Sequence, residues 1–409
     1  MIVVHIASSL DGGAGIGLWR YHRALVSAGV DSRILVMDPP AGHEREVSRV
    51  HWRKHPLALR IACRLGVART RERRLKNRIA ALDRTVPAAS YELFTPPYSD
   101  YCPEDHPWVA AADLINLHWV AGIVDWPRFF ARVRKPVVLT LHDQQPYLGG
   151  FHYGQDAANN PQLARLESAM KSVKQTALRD HRLGVVANSR WNAAEAVRSG
   201  FFPADTPVET VYYPLDADVF QPRPKDPAKA AVGIAASRLV IGFACENLAN
   251  KRKGFDDLIE ALGQLPENLL ARTTLLSFGR DPDPAVRARV ALPWVHLGFL
   301  KTDADKVAAY AAMDVFVAPS RAEAFGLTAL EAGALGIPVV ASRVGGLVEA
   351  VPPEDAAMSG TIRDRIVALL TDDTLRARRA EAGRRLAVER HSPAVIGPRL
   401  AAFYRKVIG

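Results

Sequence analysis

Residues 320–331 combine two carboxylates and a glycine at the start of a predicted helix. The segment reads Ser-Arg-Ala-Glu-Ala-Phe-Gly-Leu-Thr-Ala-Leu-Glu and follows a short apolar run over residues 315–318 that predicts a buried strand. The first backbone N–H groups of a helix have no partner within that helix, so those near Phe325, Gly326 and Leu327 can bind a pyrophosphate. The segment therefore predicts an anion site, with a glycine that lets a ligand approach the backbone.

Glu323 and Glu331 flank this anion site. Glu323 precedes the predicted helix, and Glu331 lies in its second turn. Because helical side chains lean toward the N-terminus, Glu331 can reach sugar hydroxyls beside a bound phosphate. Either glutamate alone is more typical of a solvated helix entry. The strand, the glycine and the helix together favour a binding role.

Three consecutive cations, Lys251, Arg252 and Lys253, follow a predicted strand over 240–244. Cations at this position can neutralise the charge that builds on a departing anionic group. The alternative is that they are surface cations on a turn.

The first half of the chain offers a glycine loop and a histidine. Residues 11–15 predict a loop after the first strand, but the spacing Gly13-x-Gly15-x-Gly17 is not the fingerprint of a dinucleotide site. His142 directly follows a predicted buried strand. In a doubly wound fold, that position lies at the carboxyl end of the sheet, where ligands bind.

Together these motifs resemble glycosyltransferase family 4. The resemblance rests on residues 323–331, on Gly-Ile-Pro-Val-Val-Ala at 336–341 and on Val-Gly-Gly-Leu-Val-Glu at 344–349. Leu-His-Trp at 117–119 and Gly-Gly-Phe-His-Tyr at 149–153 resemble the exopolysaccharide-type branch. The resemblance covers essentially the whole chain. It implies an α/β chain of the GT-B architecture, in which two Rossmann-like doubly wound domains face a central cleft.

The implied activity is transfer of a hexose-like sugar from a nucleotide-sugar donor, with retention of configuration. The acceptor would be a hydroxyl on a glycan, a lipid-linked molecule or a small molecule, in polysaccharide or glycoconjugate biosynthesis. The nucleotide sugar is then a substrate and not a cofactor. In the implied front-side mechanism, the leaving diphosphate draws the proton of the acceptor.

The resemblance also assigns the site residues. Four are catalytic and contact the transferred sugar or the leaving diphosphate: His142, Glu323, Lys253 and Arg252. A second group binds the donor: Gly13, Gly15, Asn247, Lys251, Phe325, Gly326, Leu327, Thr328 and Glu331. A third group lies on the acceptor side: His118, Trp119 and Asp143. The chain departs from the family at the partner arginine of Lys253, where Asn247 and Leu248 stand instead, so Arg252 or Lys251 has to replace it. A strand and turn that usually follow the position of Glu349 are also missing.

Three Asp-x-Asp sequences have the form that some sugar transferases use for Mn²⁺ or Mg²⁺. They occur at 216–218, 281–283 and 303–305, in predicted loops or at helix starts, where aspartates usually form turns and caps. We therefore expect no catalytic metal and no cofactor. The three cysteines are too scattered for a metal site or a disulfide framework.

Alternating strands and helices must position these residues. Ten apolar runs predict buried strands, at 2–7, 30–37, 114–117, 137–141, 183–187, 240–244, 274–278, 295–297, 315–318 and 338–341. Their alternation with helical segments predicts parallel sheets with helices on both faces. A proline-rich segment over 213–227 suits a linker. It predicts an acceptor-side domain over 1–212, a donor domain over 213–385, and a C-terminal helix over 386–409 that crosses back to the first domain.

The composition is that of a globular chain with an excess of positive charge. The 409 residues include 48% hydrophobic and 23% charged residues, with a net charge of +10. No apolar run of about 20 residues predicts a membrane span, and the N-terminus reads as a strand rather than a signal peptide. We therefore expect a cytoplasmic protein with anionic partners.

Residues 60–84 carry nine cations against two acids, with apolar residues at helical spacing. This pattern predicts one or two basic amphipathic helices. They could rest on an anionic membrane, at the inner face, and bring the first domain to a lipid-linked acceptor. The alternative is that they bury their apolar stripe in the first domain.

Two other classes of function stay open. A glycan phosphorylase or a nucleotide-sugar epimerase could use the same scaffold, and phosphate-dependent reversal or acceptor-free product formation would identify them. The net charge also suggests a nucleic-acid-binding protein. Against that class, no recognisable module interleaves the basic residues with aromatic residues, so we expect no nucleic-acid partner.

Overall fold

The computed structural model divides the chain into two compact units. It describes the whole chain except residues 54, 55, 66, 68, 87–90 and 281–283. The N-terminal unit comprises Met1–Tyr212 and Gly397–Gly409, and the C-terminal unit comprises Tyr213–Ile396.

The N-terminal unit is built on a parallel sheet. Its strands are β1 (Ile2–Ile6), β2 (Asp31–Val36), β3 (Val47–Arg49), β4 (Leu114–Leu117), β5 (Val137–Leu141), β6 (Leu183–Ala187) and β7 (Val208–Thr210). Across the described residues the sheet has seven strands in the order β3-β2-β1-β4-β5-β6-β7. The strand order reverses between β1 and β4. In open parallel sheets, ligands bind outside the carboxyl ends of the strands at such a switch point.

Helices cover this sheet. They are α1 (Gly12–Ser27), α2 (Leu57–Arg64), α3 (Arg71–Asp83), α4 (Pro107–Ala111), α5 (Trp126–Arg132), α6 (Gly154–Asn159), α7 (Ala164–Leu178) and α8 (Arg190–Arg198). The central strands β1, β4, β5 and β6 are buried along almost their whole length, as is typical of parallel sheets that helices cover on both faces. Trp126, Phe129 and Phe130 on α5 are fully buried in the main core cluster, and burying such a side chain contributes about 1.5–3 kcal/mol.

The predicted glycine loop is wrong in one respect, because residues 12–15 form the first turn of α1. Glycine is unfavourable in helix interiors, so the glycines at 12, 13 and 15 give no local signal for a helix. At Gly15 the packing requires glycine, since a Cβ atom would lie 2.2 Å from the carbonyl carbon of Leu10.

The C-terminal unit repeats the parallel arrangement. Its strands are β8 (Leu239–Asn247), β9 (Thr273–Arg280), β10 (Trp294–His296), β11 (Val315–Ala318) and β12 (Val339–Ala341). In the described part of this unit the order is β10-β9-β8-β11-β12, so its switch point lies between β8 and β11. The helices of this unit are α9 (Lys225–Ala231), α10 (Phe255–Gly263), α11 (Glu267–Leu270), α12 (Pro284–Arg287), α13 (Asp303–Ala311), α14 (Leu327–Ala334), α15 (Pro353–Ala357), α16 (Ile362–Thr371) and α17 (Asp373–His391). The last helix, α18 (Pro393–Ile408), begins in this unit and ends in the N-terminal unit.

The segment 386–409, predicted as one helix, belongs to two. It begins inside α17, and the chain turns at Ser392 before Pro393 opens α18. Proline cannot continue a helix but suits its first turn. The chain passes from the C-terminal to the N-terminal unit within α18, between Ile396 and Gly397. In the part of α18 that belongs to the N-terminal unit, the Tyr404 hydroxyl accepts a hydrogen bond from the side-chain amide of Asn116.

Candidate active site

The switch point of the C-terminal unit brings the predicted cations and Glu323 together. A 3₁₀ turn over Lys251–Lys253 follows β8, while Glu323 follows β11. Lys253 Nζ lies 2.5 Å from Glu323 Oε2, and Arg252 Nη1 lies 3.5 Å from the same oxygen. The Ser320 hydroxyl also donates to it, at 3.3 Å. Two strand ends, separated by about 70 residues in sequence, thus build one charged cluster.

Glu323 is an ionised carboxylate in a buried position. Burial alone would raise its pKa, but Lys253 and Arg252 outweigh that effect and hold the pKa of Glu323 below its ordinary value. The carboxylate can accept hydrogen bonds from sugar hydroxyls. The two cations exceed its charge by one, so the cluster also attracts an anionic ligand.

Arg252 and Lys251 are the two candidates for the missing arginine of the family, and Arg252 is the one that contacts Glu323. The Arg252 guanidinium donates to the Ala322 carbonyl oxygen at 2.9 Å as well as facing Glu323. Lys251 is exposed. The side chain of Asn247 is used in a turn, where its Oδ1 accepts a hydrogen bond from the backbone of Ala249 at 2.9 Å.

The helix start beside this cluster has the geometry of an anion site. Helix α14 begins at Leu327, and Gly326 precedes it with φ at 107°, in the region that favours glycine. A Cβ at Gly326 would lie 2.5 Å from Leu347 Cδ1. Leu327 and Thr328 are partly exposed in the first turn, where the backbone N–H groups have no partner within the helix.

Phe325 differs from its neighbours because its side chain belongs to the core. Its ring packs on the rings of Tyr213 and His391, with centroids 5.2 and 5.6 Å apart. Only its backbone is therefore suited to contact a donor.

Glu331 is buried, unlike the solvated helix glutamate of the alternative interpretation. The Tyr310 hydroxyl donates a hydrogen bond to its Oε2 at 3.1 Å. Tyr310 lies on α13, and sequence reasoning missed it because an isolated tyrosine in an amphipathic helix gives no signal.

In the N-terminal unit, two predicted histidines meet at the carboxyl ends of β4 and β5, next to the switch point. His142 follows β5 and His118 follows β4, and His118 Nδ1 lies 2.8 Å from His142 Nε2. Burial lowers the pKa of His142 to about 4, so the ring is neutral at pH 7. His118 is buried, and both of its ring nitrogens are hydrogen-bonded to other histidines. This corrects its assignment as an acceptor contact.

Trp119 and Asp143 are joined in a separate polar network. The Trp119 indole N–H donates to Asp143 Oδ2 at 3.0 Å, and His152 Nδ1 lies 2.6 Å from the same oxygen. Burial would raise the pKa of Asp143, but His152 and these hydrogen bonds hold it below its ordinary value. Trp119 is partly exposed and can still contact a ligand.

Lys174 is a buried residue of this region that sequence reasoning missed. From α7 its ammonium group donates to the carbonyl oxygens of Gln145 and Leu148, at 2.7 and 2.9 Å. Burial lowers the pKa of Lys174 to about 7. It ties down the loop that follows Asp143, and only its place in the fold reveals this role.

The two predicted donor-binding glycines are in different surroundings. Gly13 is exposed, and nothing lies within 4 Å of the position that a Cβ would take. Gly15 is buried against Leu10. Only Gly13 presents its backbone at an open surface.

Two of the Asp-x-Asp sequences form turns and caps. Asp216 Oδ1 accepts a hydrogen bond from the backbone of Asp218 at 2.9 Å. Asp303 and Asp305 lie in the first turn of α13, where Asp303 pairs with Lys306 at 3.2 Å. The sequence at 281–283 lies outside the described residues. Within the described part of the chain, no three His, Cys, Asp or Glu side chains group as metal ligands would.

Sequence comparison identifies the family. Residues 238–372 match the model of the family described as glycosyl transferases group 1. D-inositol 3-phosphate glycosyltransferase 1 of Catenulispora acidiphila is 31% identical over 322 residues, which are 71% of each chain. The chain therefore belongs to the family of group 1 glycosyl transferases. The predicted resemblance to glycosyltransferase family 4 and the predicted glycosyltransferase activity are confirmed. Further D-inositol 3-phosphate glycosyltransferases match over 48–57% of their own length.

Solved structures agree on the fold. HepE from Anabaena, in complex with UDP and glucose, superposes with a TM-score of 0.68 at 18% identity, over 99% of this chain and 100% of that one. Sucrose-phosphate synthase from Thermosynechococcus elongatus gives a TM-score of 0.70 at 19% identity, over 100% and 99%. The predicted fold class, an α/β chain of two Rossmann-like GT-B domains, is confirmed.

Proposed function

We propose that the chain transfers a sugar from a nucleoside diphosphate sugar to a hydroxyl acceptor, with retention of configuration. The observation that carries this proposal is the cluster of Lys253, Arg252 and Glu323 beside the glycine-led start of α14. It offers cations and backbone N–H groups for a diphosphate and a carboxylate for sugar hydroxyls. The structure of HepE with UDP and glucose supports a donor of this class.

The chemistry assigned to the cluster is stabilisation of the leaving group. As the bond between the anomeric carbon and the phosphate oxygen breaks, negative charge grows on the diphosphate, next to Lys253 and Arg252. In the front-side path the acceptor oxygen bonds to the anomeric carbon on the same face. Its proton passes to the departing phosphate oxygen. Arg252 is the cation that we assign to the position of the family's missing arginine.

The N-terminal unit supplies the remaining roles in this proposal. His142 contacts the transferred sugar. Trp119, which is oriented by its hydrogen bond to Asp143, contacts the acceptor. The backbone at Gly13 contacts the donor phosphate. Proton NMR of the product tests the reaction: an anomeric configuration equal to that of the donor is expected, and an inverted one would contradict the front-side path. Product formed without an acceptor would instead favour the epimerase alternative.

Glu331→Gln is expected to raise the donor KM about tenfold while kcat changes little. By the family resemblance we assign Glu331 to the ribose of the nucleotide. A ribose contact is made equally in the ground and transition states, and its loss weakens binding uniformly. Tyr310→Phe should have a smaller effect in the same direction, because it removes the hydrogen bond to Glu331 and keeps the carboxylate. Steady-state kinetics with varied donor provides the measurement. A drop in kcat at unchanged KM would contradict the ribose assignment.

Activity is expected to persist in excess EDTA, because Lys253, Arg252 and the start of α14 already supply positive charge at the diphosphate. Initial rates before and after EDTA treatment provide the measurement. Complete loss, restored by Mn²⁺, would contradict the proposed metal independence and direct attention to the Asp-x-Asp sequences.

The basic segment predicted over 60–84 divides into two helices with different surroundings. On α3, Leu75, Ile79 and Leu82 pack in a cluster with residues of α7, so this apolar stripe is buried within the N-terminal unit. On α2 the apolar side is exposed. Leu57, Ile61 and Leu65, spaced by four residues, are 67%, 50% and 71% exposed.

We propose that α2 makes the contact with an anionic membrane and brings the N-terminal unit to a lipid-linked acceptor. Trp52 and Val67, which lie before and after α2 in sequence, are also exposed, at 55% and 78%, and the same stretch of sequence contains Arg53 and Arg64. Such a helix lies in the membrane interface without crossing it. No described helix has the length and apolar character of a membrane span.

Ile61→Asn combined with Leu65→Asn is expected to weaken binding to anionic vesicles at least about tenfold, since each buried apolar side chain contributes about 1.5–3 kcal/mol. Val197→Asn is the matched control, because Val197 on α8 is also exposed, at 63%. Co-sedimentation with anionic and neutral vesicles at low and high salt measures the effect. Equal, negligible binding of the unaltered chain to both vesicle types at low salt would contradict the proposal.

A further inference from the structure

A chain of three buried histidines runs through the N-terminal unit behind His142. His5 Nδ1 lies 2.8 Å from His118 Nε2, and His118 Nδ1 lies 2.8 Å from His142 Nε2. The successive ring centroids are 5.0 and 5.1 Å apart. His5 is completely buried, and its Nε2 has no hydrogen-bond partner among the described residues. Sequence reasoning did not single out His5.

The strand order explains why these residues meet. Strands β1, β4 and β5 are neighbours, and the carboxyl ends of parallel strands lie at the same edge of the sheet. His5 is the last residue but one of β1, where it is paired in register with Asn116. His118 follows the end of β4, and His142 follows the end of β5. The three rings therefore cross the sheet edge at its switch point.

All three rings are neutral at pH 7. Burial lowers the pKa of His5 and of His118 well below the ordinary value, and it lowers the pKa of His142 to about 4. A second charge in the row would add repulsion, which acts in the same direction. Each neutral imidazole carries one proton, on one of its two nitrogens.

Two hydrogen bonds between three neutral rings leave only two arrangements. If His5 donates from Nδ1, then His118 accepts at Nε2, carries its own proton on Nδ1 and donates it to His142 Nε2. The proton of His142 is then on Nδ1. If His142 donates from Nε2 instead, the whole row reverses, and every ring carries its proton on Nε2. The three rings therefore share one tautomer.

We propose that His5 and His118 are positioning residues that fix the ring orientation of His142 and couple its tautomer to their own. The polar atoms of His142 then exchange donor and acceptor character only when the whole row reverses. The hydrogen bond that one ring nitrogen makes decides the protonation of the other. The contact of His142 with the sugar rests on the proposed function, whereas the tautomer coupling does not.

The coupling is tested first in the unaltered chain, without any activity measurement. Long-range ¹H–¹⁵N correlation NMR on ¹⁵N-histidine-labelled protein at pH 7 reports the tautomer of each ring. Single histidine variants assign the signals. His5, His118 and His142 are expected to be neutral and to share one tautomer. Different tautomers within the row, or a charged ring, would overturn the proposal.

A matched pair of variants tests the positioning role. His5→Leu removes the end of the row, so the balance between the two tautomers of His142 should shift and kcat should fall about tenfold at an unchanged donor KM. His5→Asn keeps an amide near the position of Nδ1, which can donate or accept, and should restore the tautomer of the unaltered chain and most of kcat. An unaltered His142 signal in folded His5→Leu protein would overturn the proposal. An altered signal with unchanged kcat would leave the coupling standing and contradict the contact of His142 with the sugar.

Discussion

Lys253→Met is expected to lower kcat about 10²–10³-fold with the correct donor. Lys253 is the cation closest to the carboxylate of Glu323, at 2.5 Å, and we assign it to the leaving diphosphate. Loss of one charge-stabilising donor at a site of developing charge has effects of this size. Steady-state kinetics with saturating donor and acceptor measures it.

Two controls separate catalysis from folding in this experiment. Arg289→Met removes an exposed ion pair of the same unit, in which Arg289 lies 2.7 Å from Asp256, and it should leave activity unchanged because exposed pairs contribute little. The double variant Lys253→Met/Glu323→Gln removes both charges of the buried pair. It should recover the free energy of unfolding that Lys253→Met loses, but not the activity. Recovery of activity together with stability would contradict a catalytic role for Lys253.

Glu323→Gln is expected to lower activity about tenfold to a hundredfold while the chain stays folded. The ionised carboxylate is proposed to accept hydrogen bonds from the donor sugar, and a hydrogen bond to a charged group contributes about 1.5–3 kcal/mol. Glutamine keeps the shape and one acceptor oxygen, but it loses the charge that also orients Lys253. Kinetics with intact donor, next to hydrolysis in the absence of acceptor, provide the measurement.

Unchanged turnover of the folded Glu323→Gln variant with the correct donor would contradict the sugar contact. It would mean that the carboxylate only forms ion pairs with Lys253 and Arg252. In that case Glu323→Gln would still lower the free energy of unfolding at neutral pH, since the depressed pKa of Glu323 makes its ionised form stabilising above about pH 4.5, its ordinary pKa. That contribution is lost as the pH falls below this value, and the variant would not show the loss.

The sequence predicted the central strands well because each is a buried, almost uninterrupted apolar run. Residues 114–117, 137–141, 183–187 and 315–318 match the observed strands. The edge strands β3 and β7 were missed, since strands of three residues are too short to show an apolar run or an alternation. The C-terminal switch point was found through its motif, because glycine, carboxylate and helix start are consecutive in sequence.

The remaining parts of the candidate site depend on the fold. His5, Lys174 and Tyr310 carry no local motif, and they meet their partners only across adjacent strands or helices. The sequence predicted that Gly15 binds the donor, whereas the structure shows that a side chain at this position would collide with the backbone of Leu10. The apolar residues of α2 and α3 have similar spacing, and only packing against α7 distinguishes the buried stripe from the exposed one.

The central claim is that the cluster of Lys253, Arg252 and Glu323 binds the diphosphate of a nucleotide sugar. Thermal-shift measurements with UDP-, GDP-, ADP- and dTDP-sugars test it most directly, because a ligand at about 100 times its Kd stabilises a fold by about 2.7 kcal/mol. We predict that sugars of one nucleotide raise the unfolding temperature of the unaltered chain and have a much smaller effect on Lys253→Met. Absence of stabilisation by every nucleotide sugar, or equal stabilisation of both proteins, would contradict the claim.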